Sequence, residues 1–311
     1  MSSFRRVSRI LPLAAAASVA LVALTACSSG ATGTAGATAA SGLCPNGKLS
    51  FGIEPFESPD KLEPAYQVLA SALSEQLGCP VDVQIVEDYS AEVLAMQNGK
   101  LDLGQFGPLG FVFASKQAGA EPIASFGTGD GKLSSYTAGI WVPKDSPIQS
   151  VADLKGKGLA LGSVGSTSGD AFPRFALRQA GLQDADVNLD YAGGHPEALL
   201  ALTNGTVDAA EINSQTLATA VADGTFKKDD FRQVWTSDAI PNDPITIRPD
   251  ASPELKAAVH DALLGLSSDD VAQVGKYLDV TPPGPLIPVT VDTYRPLFDL
   301  ARTMGLTEKD V

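Results

Sequence analysis

The densest run of residues able to do chemistry is Gly162-Ser163-Val164-Gly165-Ser166-Thr167-Ser168-Gly169-Asp170. A strand-like run precedes it and an amphipathic run, FPRFALRQAGL, follows. Proline is tolerated only in the opening turn of a helix, so Pro173 places the helix start no earlier than about Gly169. Ser166, Thr167 and Ser168 then stand at a helix N-terminus, where backbone N–H groups lack partners and the dipole is positive. Hydroxyls beside unpaired N–H groups make an anion cradle. The plainer reading of the same residues is a serine N-cap in a glycine-rich loop. A P-loop is excluded, because the Lys of GxxxxGK[ST] is absent and no magnesium-binding carboxylate pattern accompanies the run. Ser166, His195 and an Asp are also the residue types of a hydrolytic triad. Against that chemistry, Ser166 does not sit in a GxSxG elbow.

The rest of the composition narrows the choice. With 22 Lys+Arg against 36 Asp+Glu the 311-residue chain carries a net charge of −14, which argues against a nucleic-acid partner. A small anionic ligand stays compatible, since a local site can oppose the global field. Two His and three Cys leave little material for a protein-only transition-metal centre, and no cofactor is implied.

Arg5, Arg6 and Arg9 precede an apolar run from Ile10 to Ala26, which reads as an export signal over residues 1–26. The run ends in Leu24-Thr25-Ala26-Cys27, which resembles the bacterial lipobox, where cleavage before Cys leaves a lipidated thiol. The expected product is anchored by Cys27 to the outer face of the cell membrane. The alternative, a membrane-spanning anchor, is marginal in length for a ~30 Å hydrocarbon core. Residues 27–46, rich in Ser, Gly, Ala and Thr, read as a flexible tether. Two cysteines remain, Cys44 and Cys79, and in an oxidising exported setting a disulfide is the economical pairing.

Elements that would position the candidate residues alternate along the chain. Strands are expected at 48–53, 81–86, 121–126, 136–142, 158–162, 187–191, 207–212 and 232–236. Helices fit 64–77, 108–116, 172–180, 196–204, 214–222, 252–266, 269–278 and 293–304. Such alternation implies α/β layers with mostly parallel strands. There is also an internal echo: YSAEVLAMQNGKLD from Tyr89 and HPEALLALTNGTVD from His195 share Leu, Ala, Asn, Gly and Asp at the same spacing. Each copy is a helix closed by an Asn-Gly stop and followed by a strand. Two similar lobes with a ligand cleft between them follow from it.

The runs DLKGKGLALGSVGSTSGDAFP, GGHPEALLAL and WTSDAIPNDPI, with DYSAEVLAMQNGKLDLGQFGPLGFVFA upstream, resemble the substrate-binding lipoproteins of phosphonate/phosphite ABC importers. That resemblance implies a two-lobed type II periplasmic-binding-protein fold, with lobe 1 at 47–141 plus 248–311, lobe 2 at 142–247, and hinges near 141–144 and 244–248. It implies no enzymatic activity, an anion cradle at Ser166, Thr167 and Ser168, phenol donors from Tyr89 and Tyr136 of the other lobe, and ligand contacts from His195 and Asp243. Amino-phosphonate binders of the family carry a Glu for the ligand's ammonium where this chain has Gln215. A neutral amide lacks the charge-assisted hydrogen bond, so phosphite or a small phosphonate with an uncharged tail is the expected ligand. The implied partners are that small phosphorus oxyanion and an ABC permease, with the membrane met through the lipid anchor only. A related binder for sulfonate, phosphate or a thiamine precursor is the alternative.

Overall fold

The computed structural model of the protein describes residues 43–307 and 310. The expected export signal, Cys27 and the expected tether as far as residue 42 lie outside the described residues. The expected tether boundary at 46 moves earlier. Cys44 is joined to Cys79 by a disulfide, with 5.7 Å between their Cα atoms, so the chain is held to the folded part before residue 47.

In chain order the first set of elements is β1 (Leu49–Ile53), α1 (Pro59–Leu77), β2 (Val81–Ile85), α2 (Tyr89–Gln97), β3 (Leu103–Gln105), α3 (Pro108–Gln117) and β4 (Glu121–Thr128). The chain then passes through β5 (Ser135–Tyr136) into β6 (Gly139–Pro143). The second set is β7 (Gly158–Leu161), α4 (Phe172–Gln179), β8 (Asn188–Tyr191), α5 (His195–Thr203), β9 (Ala209–Glu211), α6 (Ser214–Ala222) and β10 (Phe231–Thr236). It returns through β11 (Ile240–Pro241) to β12 (Ile245–Ile247), α7 (Pro253–Gly265), α8 (Ser268–Tyr277), β13 (Pro283–Pro288) and α9 (Arg295–Met304). One sheet has the order β13-β4-β12-β3-β1-β2 and the other β10-β6-β9-β7-β8, with β5 and β11 paired between them.

The expectation of mostly parallel strands is corrected. The pairs β1–β2, β1–β3, β7–β8 and β7–β9 are parallel, while β6, β10, β12 and β13 pair antiparallel. β6 and β12, which arrive from the other lobe, enter their new sheets reversed; β10 is antiparallel through β6, and β13 runs in the same direction as β12 beside β4. The crossing points move as well. Trp141 lies buried within β6 of the second sheet, and Ile245–Ile247 lies between β3 and β4 of the first. The lobes therefore meet at β5 and β11 rather than at 141–144 and 244–248. The alternation of 136–142 conceals a break: the N–H groups of Thr137 and Ala138 go to the hydroxyls of Ser214 and Ser237, not to a ladder.

The echo is a structural repeat. Helices α2 and α5 end at Asn98 and Asn204, and Gly99 and Gly205 follow with φ of 65° and 71°, which the helix stop requires. Asp102 then accepts the N–H of Ser50 at 2.8 Å, and Asp208 that of Gly158 at 2.8 Å. Asp102 thus ties the start of β1 to β3, the strand it precedes, and Asp208 the start of β7 to β9. Large apolar side chains fill both lobes, among them Phe51, Tyr66, Leu69 and Leu73 in the first and Leu159, Leu161, Leu177 and Ile140 in the second. Helix α1 opens at Pro59 instead of 64, with Pro64 in its second turn, where its missing N–H removes one bond near the helix start.

Candidate functional site

The cradle begins earlier than Pro173 suggests. Thr167–Ala171 form a π-type turn that runs directly into α4, with Ser166 as its cap. Proline has no N–H for the carbonyl four residues back, Gly169, and that carbonyl instead accepts the N–H of Gly162 at 2.9 Å. The two ends of the loop are closed on each other. Asp170, buried beneath it, accepts from Gly165 N–H at 3.1 Å and from the Tyr191 hydroxyl at 2.7 Å, and pairs with Arg174.

All three cradle hydroxyls are buried and each accepts a hydrogen bond from the protein. Gly169 N–H donates to Ser166 Oγ at 3.1 Å, and Asn213 Nδ2 donates to Ser168 Oγ at 3.2 Å. Leu109 N–H, in the first turn of α3, donates to Thr167 Oγ1 at 2.9 Å, a bond that crosses from one lobe to the other. With an acceptor position filled by the protein, each hydroxyl proton is left to donate to an anion. The phenol of Tyr89, the first residue of α2, lies beside Ser166; that of Tyr136, on β5, lies beside Thr167 and Ser168. Tyr136 therefore comes from the crossover strand, not from the body of lobe 1.

His195 opens α5 as Tyr89 opens α2. Its Nε2 lies 3.2 Å from Ser166 Oγ and its Nδ1 2.5 Å from Oε1 of Glu211, which is fully buried at the end of β9. Burial pulls the His195 pKa down, but the charge and hydrogen bond of Glu211 outweigh it and leave the value above the ordinary one. When protonated, His195 donates from Nδ1 to Glu211 and from Nε2 to Ser166 Oγ, which directs the Ser166 hydroxyl into the cavity. Asp243 follows β11, with Gln105 Nε2 donating to it at 3.4 Å. Burial pushes its carboxyl up to about 7. Gln215 Nε2 donates to Asn242 Oδ1 at 2.6 Å and to the Leu278 carbonyl at 3.2 Å, so both amide hydrogens are engaged by the protein.

The eight residues expected from the sequence (Tyr89, Tyr136, Ser166, Thr167, Ser168, His195, Gln215 and Asp243) all line one cavity between the lobes. Glu54, Phe56, Glu57, Asn213, Thr216, Thr219 and Tyr277 line it too and were not expected. Asn213 had a signal: continuing the repeat pairs it with Gly107, and both residues cap the helix that follows, α6 and α3. Glu54 and Glu57 had none. Among the described residues no Lys or Arg lines the cavity, and no group of three or more His, Cys, Asp or Glu is placed to hold a metal ion. The cavity thus offers hydroxyl and phenol donors to an anion, with His195 behind Ser166 and, among the described residues, no permanent cation in its lining.

Two sheets joined by paired crossover segments, with a polar cavity between them, define a two-lobed α/β binding protein of the type II periplasmic class. The chain belongs to the family described as the periplasmic substrate-binding protein of phosphonate ABC transporters, which it matches over residues 51–294. It is 29% identical over 218 residues to the phosphonates-binding periplasmic protein of Escherichia coli K12, covering 68% of this chain and 64% of that one. It is 29% identical over 197 residues to the phosphate-import protein PhnD of Mycolicibacterium smegmatis, covering 60% of this chain and 61% of the other. The chain thus spans a little under two thirds of these relatives' length. PhnD1 from Prochlorococcus marinus, solved in complex with methylphosphonate, superposes with a TM-score of 0.75 over 85% of this chain and 100% of its own, at 20% identity. At that identity the likeness speaks for the fold.

Proposed function

We propose that this protein is the extracytoplasmic receptor of an ABC importer, capturing phosphite or a small phosphonate between its lobes and delivering it to a transmembrane permease. The observation that carries the reading is the set of three buried hydroxyls, each already accepting a bond from the protein and so each a donor, at one wall of a cavity lined by two phenols and His195. Such a wall suits a tetrahedral head with several oxygens. Asp243 adds discrimination. When ionised it repels an oxyanion unless the facing ligand oxygen carries a proton, which favours phosphite and phosphonate monoanions over sulfate. Gln215, with its amide hydrogens engaged elsewhere, supports an uncharged tail. Closure by rotation about β5 and β11 would enclose the anion. Anchoring by a lipid on Cys27 completes the proposal; incorporation of labelled fatty acid, lost in Cys27→Ser, tests it.

The function is tested by calorimetric titration with phosphite, methylphosphonate, 2-aminoethylphosphonate, phosphate and sulfate. Micromolar or tighter binding of phosphite or methylphosphonate, with sulfate and the aminated ligand weak, is the expected result. Binding of none of the five would end the phosphorus-oxyanion reading. The hydrogen-bonded series Ser166–His195–Glu211 favours one second reading, ester hydrolysis, with Glu211 in place of the Asp of a triad. Turnover of an ester that disappears in Ser166→Ala would support it, and tight binding without turnover would dismiss it.

A further inference from the structure

The carboxyl ends of the parallel strands carry one buried glutamate in each lobe. In the second lobe it is Glu211, with His195 as its partner. In the first it is Glu54, the residue after β1, only 3% exposed. Counted from Ser50 and Gly158, the strand residues that the two aspartates hold, Glu54 and Gly162 are equivalent. A Cβ on Gly162 would meet Glu211 Oε1 at 3.0 Å, so the two lobes bring a carboxyl group to equivalent places by different routes. Their surroundings differ. Glu54 lines the cavity, and the hydrogen bond its carboxyl group makes is from the N–H of Gly107, the cap of α3. Gly107 is bare where that carboxyl lies, since a Cβ would come within 2.7 Å of Glu54 Oε2.

Among the described residues no Lys, Arg or His forms an ion pair with Glu54. The groups facing it are Glu92 and Tyr89 on α2, Tyr66 on α1, Tyr136 on β5, and Asp243 after β11. Glu57 and His195 share the cavity wall. An ionised Glu54 would place a second unpaired charge beside Asp243 in a cavity built to receive an anion. We propose that Glu54 is a specificity-determining residue that meets the bound oxyanion as a hydrogen-bond-donating carboxylic acid. Gly107 N–H fixes one oxygen as the acceptor, and the protonated oxygen supplies a donor from lobe 1 opposite the hydroxyls of lobe 2. Burial, followed by the charges of Asp243 and Glu92, pushes this carboxyl well above the usual range, against the pull of Gly107 N–H, and agrees with that assignment. The inference deepens the oxyanion-receptor reading and rests on it for the ligand. It also separates two ligand classes: a neutral acid serves a phosphonyl oxygen, whereas an ammonium tail would call for a carboxylate.

The test compares wild type with Glu54→Gln and Glu54→Leu, using methylphosphonate titrated by calorimetry from pH 5.5 to 9. Glutamine retains a donor, so its affinity at pH 7 is expected within about threefold of wild type, while leucine weakens binding about tenfold or more. Wild type should lose affinity at high pH by a component that Glu54→Gln lacks, beyond what Asp243 and His195 cause in both. Infrared difference spectra, wild type minus Glu54→Gln at pH 7, should contain the C=O stretch of a protonated carboxylic acid; this readout needs no ligand. Absence of that band overturns the proposal. So does tighter binding by Glu54→Gln than by wild type, or equal weakening in both variants. Should Glu54→Leu fail to fold, the glutamine variant and the infrared band still decide. If wild type binds no phosphorus oxyanion, the receptor reading fails, and the band alone rules on the state of Glu54.

Discussion

Replacing Glu211 by Gln isolates the charge that the cavity borrows from His195. The amide keeps the size of the side chain and can accept from His195 Nδ1, but it removes the anion 2.5 Å away that holds the imidazole protonated. Burial then acts on His195 without the Glu211 charge, its largest counterweight, and the pKa of the histidine falls. The donor affected is Ser166: with the imidazolium charge gone, its hydroxyl, 3.2 Å from Nε2, turns to donate to the ring instead of to the anion. Charge-assisted hydrogen bonds contribute roughly 1.5–3 kcal/mol against roughly 0.5–1.5 for neutral ones, so a loss of about 1–2 kcal/mol is expected, or about 5–30-fold in Kd. The sign with pH follows from the raised value of His195: the contribution of the imidazolium to binding falls as pH rises through that value. In Glu211→Gln the fall comes earlier. Titrations with phosphite or methylphosphonate at pH 5.5, 6.5, 7.5 and 8.5 should show a gap that narrows toward the acid end, where protonation of His195 is favoured in both proteins. Equal affinity at pH 7.5 would refute the reasoning. A gap of the same size at pH 5.5 would as well, since it would mean damage to the site rather than loss of a proton.

Three further outcomes are expected. Asp243→Asn should raise the melting temperature of the ligand-free protein at pH 8: a buried carboxyl raised to about 7 contributes stability that is lost as pH climbs from its unfolded value near 4. The gap, roughly 1–4 kcal/mol, should be closed at pH 3.5 and complete above about 7. Thr167→Val leaves the N–H of Leu109 without its partner in the first turn of α3, so thermal melts should report a loss of about 1–3 kcal/mol, with weaker anion binding by calorimetry. Asp102→Ala and Asp208→Ala should each cost about 1 kcal/mol in denaturant unfolding, with the ligand Kd unchanged, since each holds a strand N–H away from the cavity.

What could be read from the sequence was local. The Asn-Gly stops of α2 and α5 depend on residues within one turn, and so does the capping of the cradle by Ser166, whose Oγ takes a bond from a residue three positions on. The expected strand at 158–162 and helix at 214–222 emerged within a residue of their observed bounds for the same reason. Strands β3, β12 and β13 escaped notice. The first two are three-residue stretches too short for a period, and β13, PGPLIP, carries prolines that argue against a strand and are tolerated here because it lies at a sheet edge. The start of the π turn was misplaced because Pro173 was weighed against an α-helix, and a wider turn follows another hydrogen-bond rule. The acids escaped for a different reason. Glu54 and Glu211 look like ordinary strand-end residues, and their burial arises from residues distant in sequence, Gly107 against Glu54 and His195 against Glu211.

The bond from Gly162 N–H to the carbonyl that Pro173 leaves unclaimed has a thermodynamic consequence. It makes the segment from 162 to 169 a closed ring whose conformational entropy is surrendered during folding, so little is left to lose when an anion arrives. Binding to such a ring should be limited by lobe motion and not by ordering of the loop. The amide proton of Gly162 should then exchange with solvent as slowly as those of the adjoining strand, whether or not anion is present. A Pro173→Ala substitution would restore a competing helical N–H and let the ring breathe, shortening the lifetime of the complex while leaving every group that touches the anion in place.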